Sequence, residues 1–377
     1  MKNKKLVIIS HTEHYWDSKN QIVGWGSTVN EINFLSNYWD EIVHVGCFYK
    51  QNAPKNTLNY SNSNIKFVPI SPYGGKKIID KLLILFKIPK IIFTVIKSVK
   101  NASEVQLRLP TSMGLFLLPL FSFFLPRKYT FWVKYAGDWS LQGAPLSYKI
   151  QRWWLQKNFA KCKVTINGFW ENQPKHCLSF ENPCLTENDL ETGKNTIETK
   201  DFSNLFNLVF VGRLDENKGI DTILNALKNI DISKISQIDF IGESDSFDFY
   251  KKEFAFLKEK VKFHGFLNSD EVFTVLKKAH FLLLPSKSEG FPKVIAEAAC
   301  FGVIPIVSNV GSISHYINEN NGFVWQMNSL KLYENVFENA LQSNPNELKN
   351  LSNSISILAQ KFTFSSYYIN LNNFIKP

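Results

Sequence analysis

The feature that most restricts this chain is an alternation that runs along it twice. Short apolar runs are each followed by a glycine or polar turn and then a helical pattern. The first set is "KLVIIS" (5–10), "EIVHVGCF" (41–48), "IKFVPI" (65–70), "VQLRL" (105–109), "YTFWVKYAG" (129–137) and "KCKVTIN" (161–167). The second is "LFNLVFVG", "QIDFIG", "VKFHGF", "HFLLLPS", "VIPIVS" and "GFVW", with helices expected over "GIDTILNALKNI", 247–258 and "DEVFTVLKKA" and after Pro292. Continuous apolar runs of this length suit strands buried on both faces, and strands alternating with helices build a parallel sheet covered by helices. The expected class is α/β, in two Rossmann-like doubly wound domains. A length of 377 residues, too long for one ordinary core, agrees. The polar, acidic tract 186–204 shows no apolar face and is the expected linker, which places one domain at 1–190 and the other at 205–360.

Charge separates the two halves. The chain carries +10, but residues 1–200 carry +12 and residues 201–377 carry −2. A basic first half points to an anionic surface, either a membrane or a nucleic acid. In "KKIIDKLLILFKIPKIIFTVIKSVK" (76–100), Lys76, Lys77, Lys81 and Lys87 share one side of a helix, as do Lys90, Lys97 and Lys100 past Pro89. Two basic amphipathic segments of this kind suit the face of an anionic bilayer, and equally the wall of a sheet. "TSMGLFLLPLFSFFL" (111–125) is more apolar but shorter than the roughly 20 residues a span requires, and reads as a buried or membrane-dipping helix. Five scattered cysteines without C-x-x-C spacing suggest reduced thiols. The start "MKNKKLVIIS" reads as a first strand and not as a signal peptide, so the expected location is cytoplasmic.

The candidate chemistry lies in "PSKSEGFPKVIAEAACFG" (285–302). A buried strand ends there in a turn that Gly290 permits, and Pro292 suits the first helical position. A helix opening at a strand end offers unpaired N–H groups and partial positive charge to a phosphate. Glu297 lies about 7.5 Å along that helix, within reach of ribose hydroxyls, with Glu289 on the other side of the turn. In "LVFVGRLDENKGIDTILNAL" a strand ends at Gly212, and Arg213 and Lys218 flank the following loop, two cations suited to a diphosphate. In the first half, Gly24 and Gly26 form a glycine loop before a helix expected near Thr28, with Glu31 as its capping partner.

Taken together, "VGRLDENKGID", "PSKSEGFPKVIAEAACFGVIPIVS" and "NGFVW" resemble the donor half of family 4 of the retaining glycosyltransferases over residues 205–325, with Glu289 and Glu297 matching its E-x7-E signature. The resemblance implies a GT-B fold, two Rossmann-like domains facing a central cleft, with the tract 361–377 crossing back to the first. It implies transfer of a hexose or N-acetylhexosamine from a nucleotide diphosphate sugar, UDP ahead of GDP, to a lipid-linked or polysaccharide acceptor, at the inner face of the plasma membrane. Arg213 and Lys218 would neutralise the diphosphate, and Gly290, Phe291, Pro292 and Lys293 would border the sugar and phosphate. Glu297 would hold the ribose and Glu289 would face the donor sugar. The stretch His264–Leu267, with Gly265, Phe266 and Leu267, would lie beside the base. No metal or cofactor is implied, and no D-x-D motif occurs.

Two departures stand out. "NVGSISHYI" puts Ser312 and His315 where the family often has a Gly-Gly-x-x-Glu-like stretch, and the usual histidine of the first lobe is not evident. The comparable strand end reads "KYAGDWS", which makes Asp138 the candidate polar group, with His11 and His14 as rivals. The alternatives are a nucleotide-sugar epimerase on the same scaffold and a nucleic-acid binder using the basic half. The second is disfavoured because the basic residues are interleaved with aliphatics and not with stacking aromatics.

Overall fold

The computed structural model describes residues 4–73, 84–140, 143–327 and 332–375. The chain forms two compact units, Met1–Phe180 together with Tyr368–Pro377, and Glu181–Tyr367.

Among the described residues, the first unit is built on a nine-stranded sheet. Its parallel body runs β5 (Ile65–Ile70), β3 (Glu41–Asn52), β1 (Lys5–Trp16), β6 (Glu104–Leu109), β7 (Thr130–Tyr135), β8 (Lys163–Asn167), β9 (Cys177–Phe180). β1 runs well past Ser10. Its far end pairs antiparallel with β2 (Ile22–Trp25), which pairs in turn with β4 (Thr57–Asn59). Helices α2 (Ile84–Val99), α3 (Gly114–Phe124) and α4 (Leu146–Gln156) bury one flank each in a common core with Val7, Ile9, Val105, Leu107 and Val133. α2 carries Pro89 inside a single helix, and Lys76, Lys77 and Lys81 lie outside the described residues. Among the described residues, no helix is long and apolar enough to cross a membrane.

The second unit has a six-stranded parallel sheet in the order β12 (Val261–Gly265), β11 (Ile235–Ile241), β10 (Phe206–Val211), β13 (Phe281–Leu284), β14 (Ile304–Ser308), β15 (Phe323–Trp325). In chain order this is 3-2-1-4-5-6. The parallel strands of the first unit follow the same rule, so both units turn about their first strand as doubly wound sheets do. The helices are α5 (Glu187–Thr199), α6 (Ile220–Asn229), α7 (Phe247–Glu253), α8 (Ser269–Lys278), α9 (Lys293–Cys300), α10 (Tyr333–Gln342), α11 (Pro345–Ala359) and α12 (Phe364–Phe374). From Tyr368 onward α12 belongs to the first unit, where Tyr368 stacks on Tyr38 at 3.5 Å.

Three expectations need correction. Residues 187–199 are not a linker but α5, opened by a capping box between Thr186 and Asp189 and packed on α9 and α11. Its apolar side consists of Leu190, Gly193 and Ile197, spaced i, i+3 and i+7 but too sparse to stand out among polar residues. Gly24 and Gly26 do not form a loop. Gly24 lies in β2 and Gly26 opens α1 (Gly26–Leu35). That helix has no side-chain cap. Glu31 instead projects beneath it and binds Arg108 at 2.8 Å and Lys134 at 2.7 Å, all three nearly closed to solvent.

Candidate functional site

In a doubly wound sheet the crevice opens at the carboxyl ends of the strands, where the strand order reverses. In the second unit that point lies between β10 and β13, and the predicted charged residues follow those two strands. After β10 come Gly212 and Arg213, then a 3-10 turn over Glu216–Lys218. The turn is capped by Asp215, which accepts the Lys218 N–H at 3.0 Å. Gly219 then takes a left-handed conformation, φ +81°, so close to β13 that a Cβ there would lie 2.1 Å from the Pro285 carbonyl oxygen. This close approach, with the Lys287 N–H donating to Asn217 O at 2.8 Å, holds the two loops together. As a result Lys218 Nζ reaches Glu289 Oε1 at 2.5 Å. Arg213 stays largely exposed, touching Asp215 at 3.2 Å.

The Glu289–Gly290 backbone is supported from behind by the segment that departed from the family pattern. Gly311, at φ +58°, approaches so closely that a Cβ would lie 1.8 Å from Glu289 O. Ser312, fully buried, donates both its N–H and its hydroxyl to Gly290 O, each at 3.0 Å. Pro292 sits one position earlier than expected, as the cap before α9. The Phe291 ring is buried, stacked on Phe362 at 4.8 Å, and so offers only backbone to a ligand, while Leu267 is partly buried against the core. Lys293 donates through Nζ to Pro183 O at 2.8 Å. One turn further along α9, half-buried Glu297 has no hydrogen-bond partner among the described residues. Burial pushes its carboxyl above the usual range and nearby Asp189 adds to this, while Lys293 opposes it.

At the β10–β12 side the strand ends stay joined. The Gly212 N–H donates to Ile241 O at 2.9 Å, and the Gly242 N–H to Gly265 O at 2.8 Å. A cavity of about 570 Å³ opens here, lined by Arg213, Glu243, Ser244, Asp245, His264 and Gly265 among others. Glu243 Oε1 accepts from the Phe266 N–H at 3.4 Å. His264 is turned to Asp239, 2.7 Å away. Glu243 and Asp245 were missed from sequence. The signal was there, since "QIDFIG" ends in the same strand-then-glycine pattern as "LVFVG" and is followed at once by acids.

The first unit places its candidates differently. His14 does not face a crevice. Its ring is wholly buried between Gly24 and Gly46, where a Cβ would come within 2.6 and 2.8 Å of it. His14 Nδ1 faces the carbonyl oxygens of Thr12 and Cys47 and so carries the proton, while Nε2 accepts from the Tyr60 hydroxyl at 2.8 Å. His44 Nδ1 then donates to the Tyr60 oxygen at 2.5 Å, and its Nε2 accepts from Ser10 Oγ at 2.7 Å. Burial lowers the His14 pKa to about 4 and that of His44 well below its usual value, so both are neutral. His11 is half-buried, edge-on to Tyr73 at 4.6 Å, with its pKa also lowered by burial. Asp138 follows β7 and closes a local turn, accepting from the Ser140 N–H at 2.9 Å.

Residues 195–356 match the family model of glycosyl transferases group 1. A curated relative, an uncharacterized 41.2 kDa protein in the cps region of Klebsiella pneumoniae, is 35% identical over 130 residues, 34% of this chain and 35% of that one. The chain thus aligns with about a third of the length of that relative. Two solved structures share the architecture from end to end. Anabaena Alr3699/HepE, in complex with UDP and glucose, covers 98% of this chain and 99% of its own, with TM-score 0.65 and 13% identity. The lipopolysaccharide outer core galactosyltransferase WaaB covers 98% and 99%, with TM-score 0.63 and 14% identity. At such identities the likeness concerns the fold, which is GT-B. The stretch of the second unit that matches the glycosyl transferases group 1 model includes Arg213 and Lys218 after β10, Glu289 after β13 and Glu297 in α9.

Proposed function

We propose that the chain transfers a sugar, with retention, from a nucleotide diphosphate sugar to a hydroxyl of a lipid-linked or polysaccharide acceptor. The observation that carries this reading is the Lys218–Glu289 pair that joins the loops after β10 and β13, with Arg213 on the first of those loops and Glu297 in the helix that follows the second. Arg213, Lys218 and the amino end of α9 meet the diphosphate, so side chains and backbone neutralise it and no metal is assigned to it. Glu297, with unused acceptor capacity, takes the ribose hydroxyls, and Glu289 takes the sugar. The base lies against Gly265–Leu267, with uridine ahead of guanosine. Support for uridine comes from the Anabaena protein solved with UDP and glucose.

In the reaction the bond from the anomeric carbon to the β-phosphate oxygen breaks, and a bond from the acceptor oxygen forms on the same face. The acceptor proton passes to the departing phosphate oxygen, which keeps atoms and charge balanced without a protein nucleophile. The first unit receives the acceptor, with Asp138 as its polar group. The cps-region relative and the lipopolysaccharide galactosyltransferase support a cell-surface glycan or glycolipid as product.

The test is a panel of UDP-, GDP-, ADP- and TDP-sugars, read by thermal shift and by slow donor hydrolysis, on the wild type and on Glu297→Ala. One donor should raise the melting temperature and be hydrolysed, with both effects lost in the variant. If no donor binds while a nucleic acid does, the reading is wrong.

A further inference from the structure

The outer surface of the first unit's helical wall is chemically unusual. α2, α3 and α4 pack on the same face of the sheet, and their outward sides carry large apolar groups in water. Phe86 is 85% exposed, Phe93 69%, Phe123 69%, Phe124 76% and Leu146 73%. Trp153, half exposed, stands in an aromatic cluster that joins α3 to α4. Phe159 lies edge-on to Trp153 at 5.2 Å and to Trp154 at 5.3 Å, and Phe123 meets Trp154 at 5.9 Å. Scattered exposed apolar residues are ordinary, but this many on three adjacent helices mark a surface that meets something.

The charge around them says what. Between residues 84 and 163 there are 13 Lys and Arg against two acids, Glu104 and Asp138, and α2, α3 and α4 hold no acid at all. Glu104 is buried and accepts from the Trp39 indole N–H, and Asp138 is held in its turn. Lys90, Lys97, Lys149 and Lys157 therefore stand among the exposed rings with no acid on their own helices to answer them. A second copy of the chain would bring like charge against like charge across a two-fold axis. A nucleic acid would answer the lysines and leave the phenylalanines wet. An anionic bilayer answers both, because rings enter the acyl boundary while lysine stems reach back to the headgroups.

We infer that the outer face of α2, α3 and α4 docks on an anionic lipid surface, with Phe86, Phe93, Phe124 and Trp153 as anchors. The sequence alone pointed to 76–125. The structure adds α4, which lies outside that stretch, and the aromatic cluster that joins it to α3. The inference deepens the proposed function by naming where the enzyme meets lipid, and it depends on that reading only for its purpose.

The experiment is co-sedimentation of the full chain with phosphatidylcholine vesicles, with and without phosphatidylglycerol. The wild type is compared with Phe86→Ser/Phe93→Ser/Phe124→Ser and with Lys90→Glu/Lys97→Glu. Donor-induced thermal shift is measured in parallel. Because each substituted ring is at least two-thirds exposed, the fold should survive. Binding should require phosphatidylglycerol and fall about tenfold or more in both variants, with the donor shift unchanged. Equal sedimentation of wild type and variants, or indifference to phosphatidylglycerol, overturns the proposal. So does a dimer that the same substitutions dissociate in the absence of lipid. If lipid binding holds and no donor binds, the transferase reading fails and the docking face stands.

Discussion

Each unit contains a carboxylate paired with lysine near the strand where its sheet turns, and the two pairs differ in how far the lysine is closed to solvent. In the first unit Glu31 lies under α1 between Lys134 and Arg108, with side-chain exposures of 4%, 6% and 11%. In the second, Glu289 and Lys218 meet at the crevice, and the lysine keeps 32% of its surface open. The same two charges serve as a fastening when closed off, and as a binding device when one of them can exchange its partner for a ligand. Removing one partner of a buried pair leaves a charge with nowhere to go, whereas a half-open lysine returns to water at little cost.

The largest effect is therefore expected from Glu31→Ala, which should cost the first unit about 3–5 kcal/mol. Eight of the nine tryptophans, all but Trp325, lie in that unit, so urea unfolding followed by tryptophan fluorescence reports it directly. A loss below about 1 kcal/mol would show that the triad fastens nothing. Glu289→Ala should do the reverse, changing stability by less than about 1 kcal/mol while lowering donor turnover about 10²–10³-fold. Unaltered turnover would separate this carboxylate from the chemistry.

Acid should divide the units by a smaller margin. Below pH 6.5 the unfolded chain takes up protons that the buried rings refuse, so stability falls as pH drops from about 6.5 towards 4. Each such histidine contributes a slope of about 1.4 kcal/mol per pH unit. The first unit holds His14 and His44, and the second holds His280, also lowered to about 4 by burial. Tryptophan fluorescence should therefore register greater acid sensitivity than unfolding of the second unit followed through donor protection. Equal slopes would mean that the His14–Tyr60–His44 chain admits a proton. The smallest expected effect is that of Asp138→Asn. Asparagine preserves the turn with Ser140, and transfer to acceptor should fall about tenfold with donor hydrolysis unchanged. A variant that transfers at the wild-type rate leaves Asp138 with its turn alone.

What could be read from sequence follows the same division. In the second unit, strands buried on both faces appear as unbroken apolar runs, and the loops after β10 and β13 place their charges at fixed offsets from a glycine. The positions of Arg213, Lys218 and Glu289 at these strand ends were legible for that reason. Contacts made across the sheet were not. Nothing local to Glu31 announces Arg108 or Lys134, which lie 77 and 103 residues away. Nothing in "KLVIIS" shows that β1 continues to Trp16 and presses His14 into a slot between two glycines. Ser312 looked like a departure from a motif because its work is to hold a carbonyl, which its backbone N–H does as much as its side chain.

The Lys218–Glu289 contact also bears on how the reaction ends. In that contact each charge is satisfied by the other, so the lysine is not left bare to every phosphate. On the proposed chemistry, a complete donor replaces both halves at once, phosphate for the lysine and sugar hydroxyls for the glutamate. On the same reading, the nucleoside diphosphate left after transfer replaces only one, and it leaves a largely buried carboxylate with no partner unless the lysine swings back. On the proposed chemistry, that return is what loosens the spent nucleotide, and the pair acts as a spring that product departure resets.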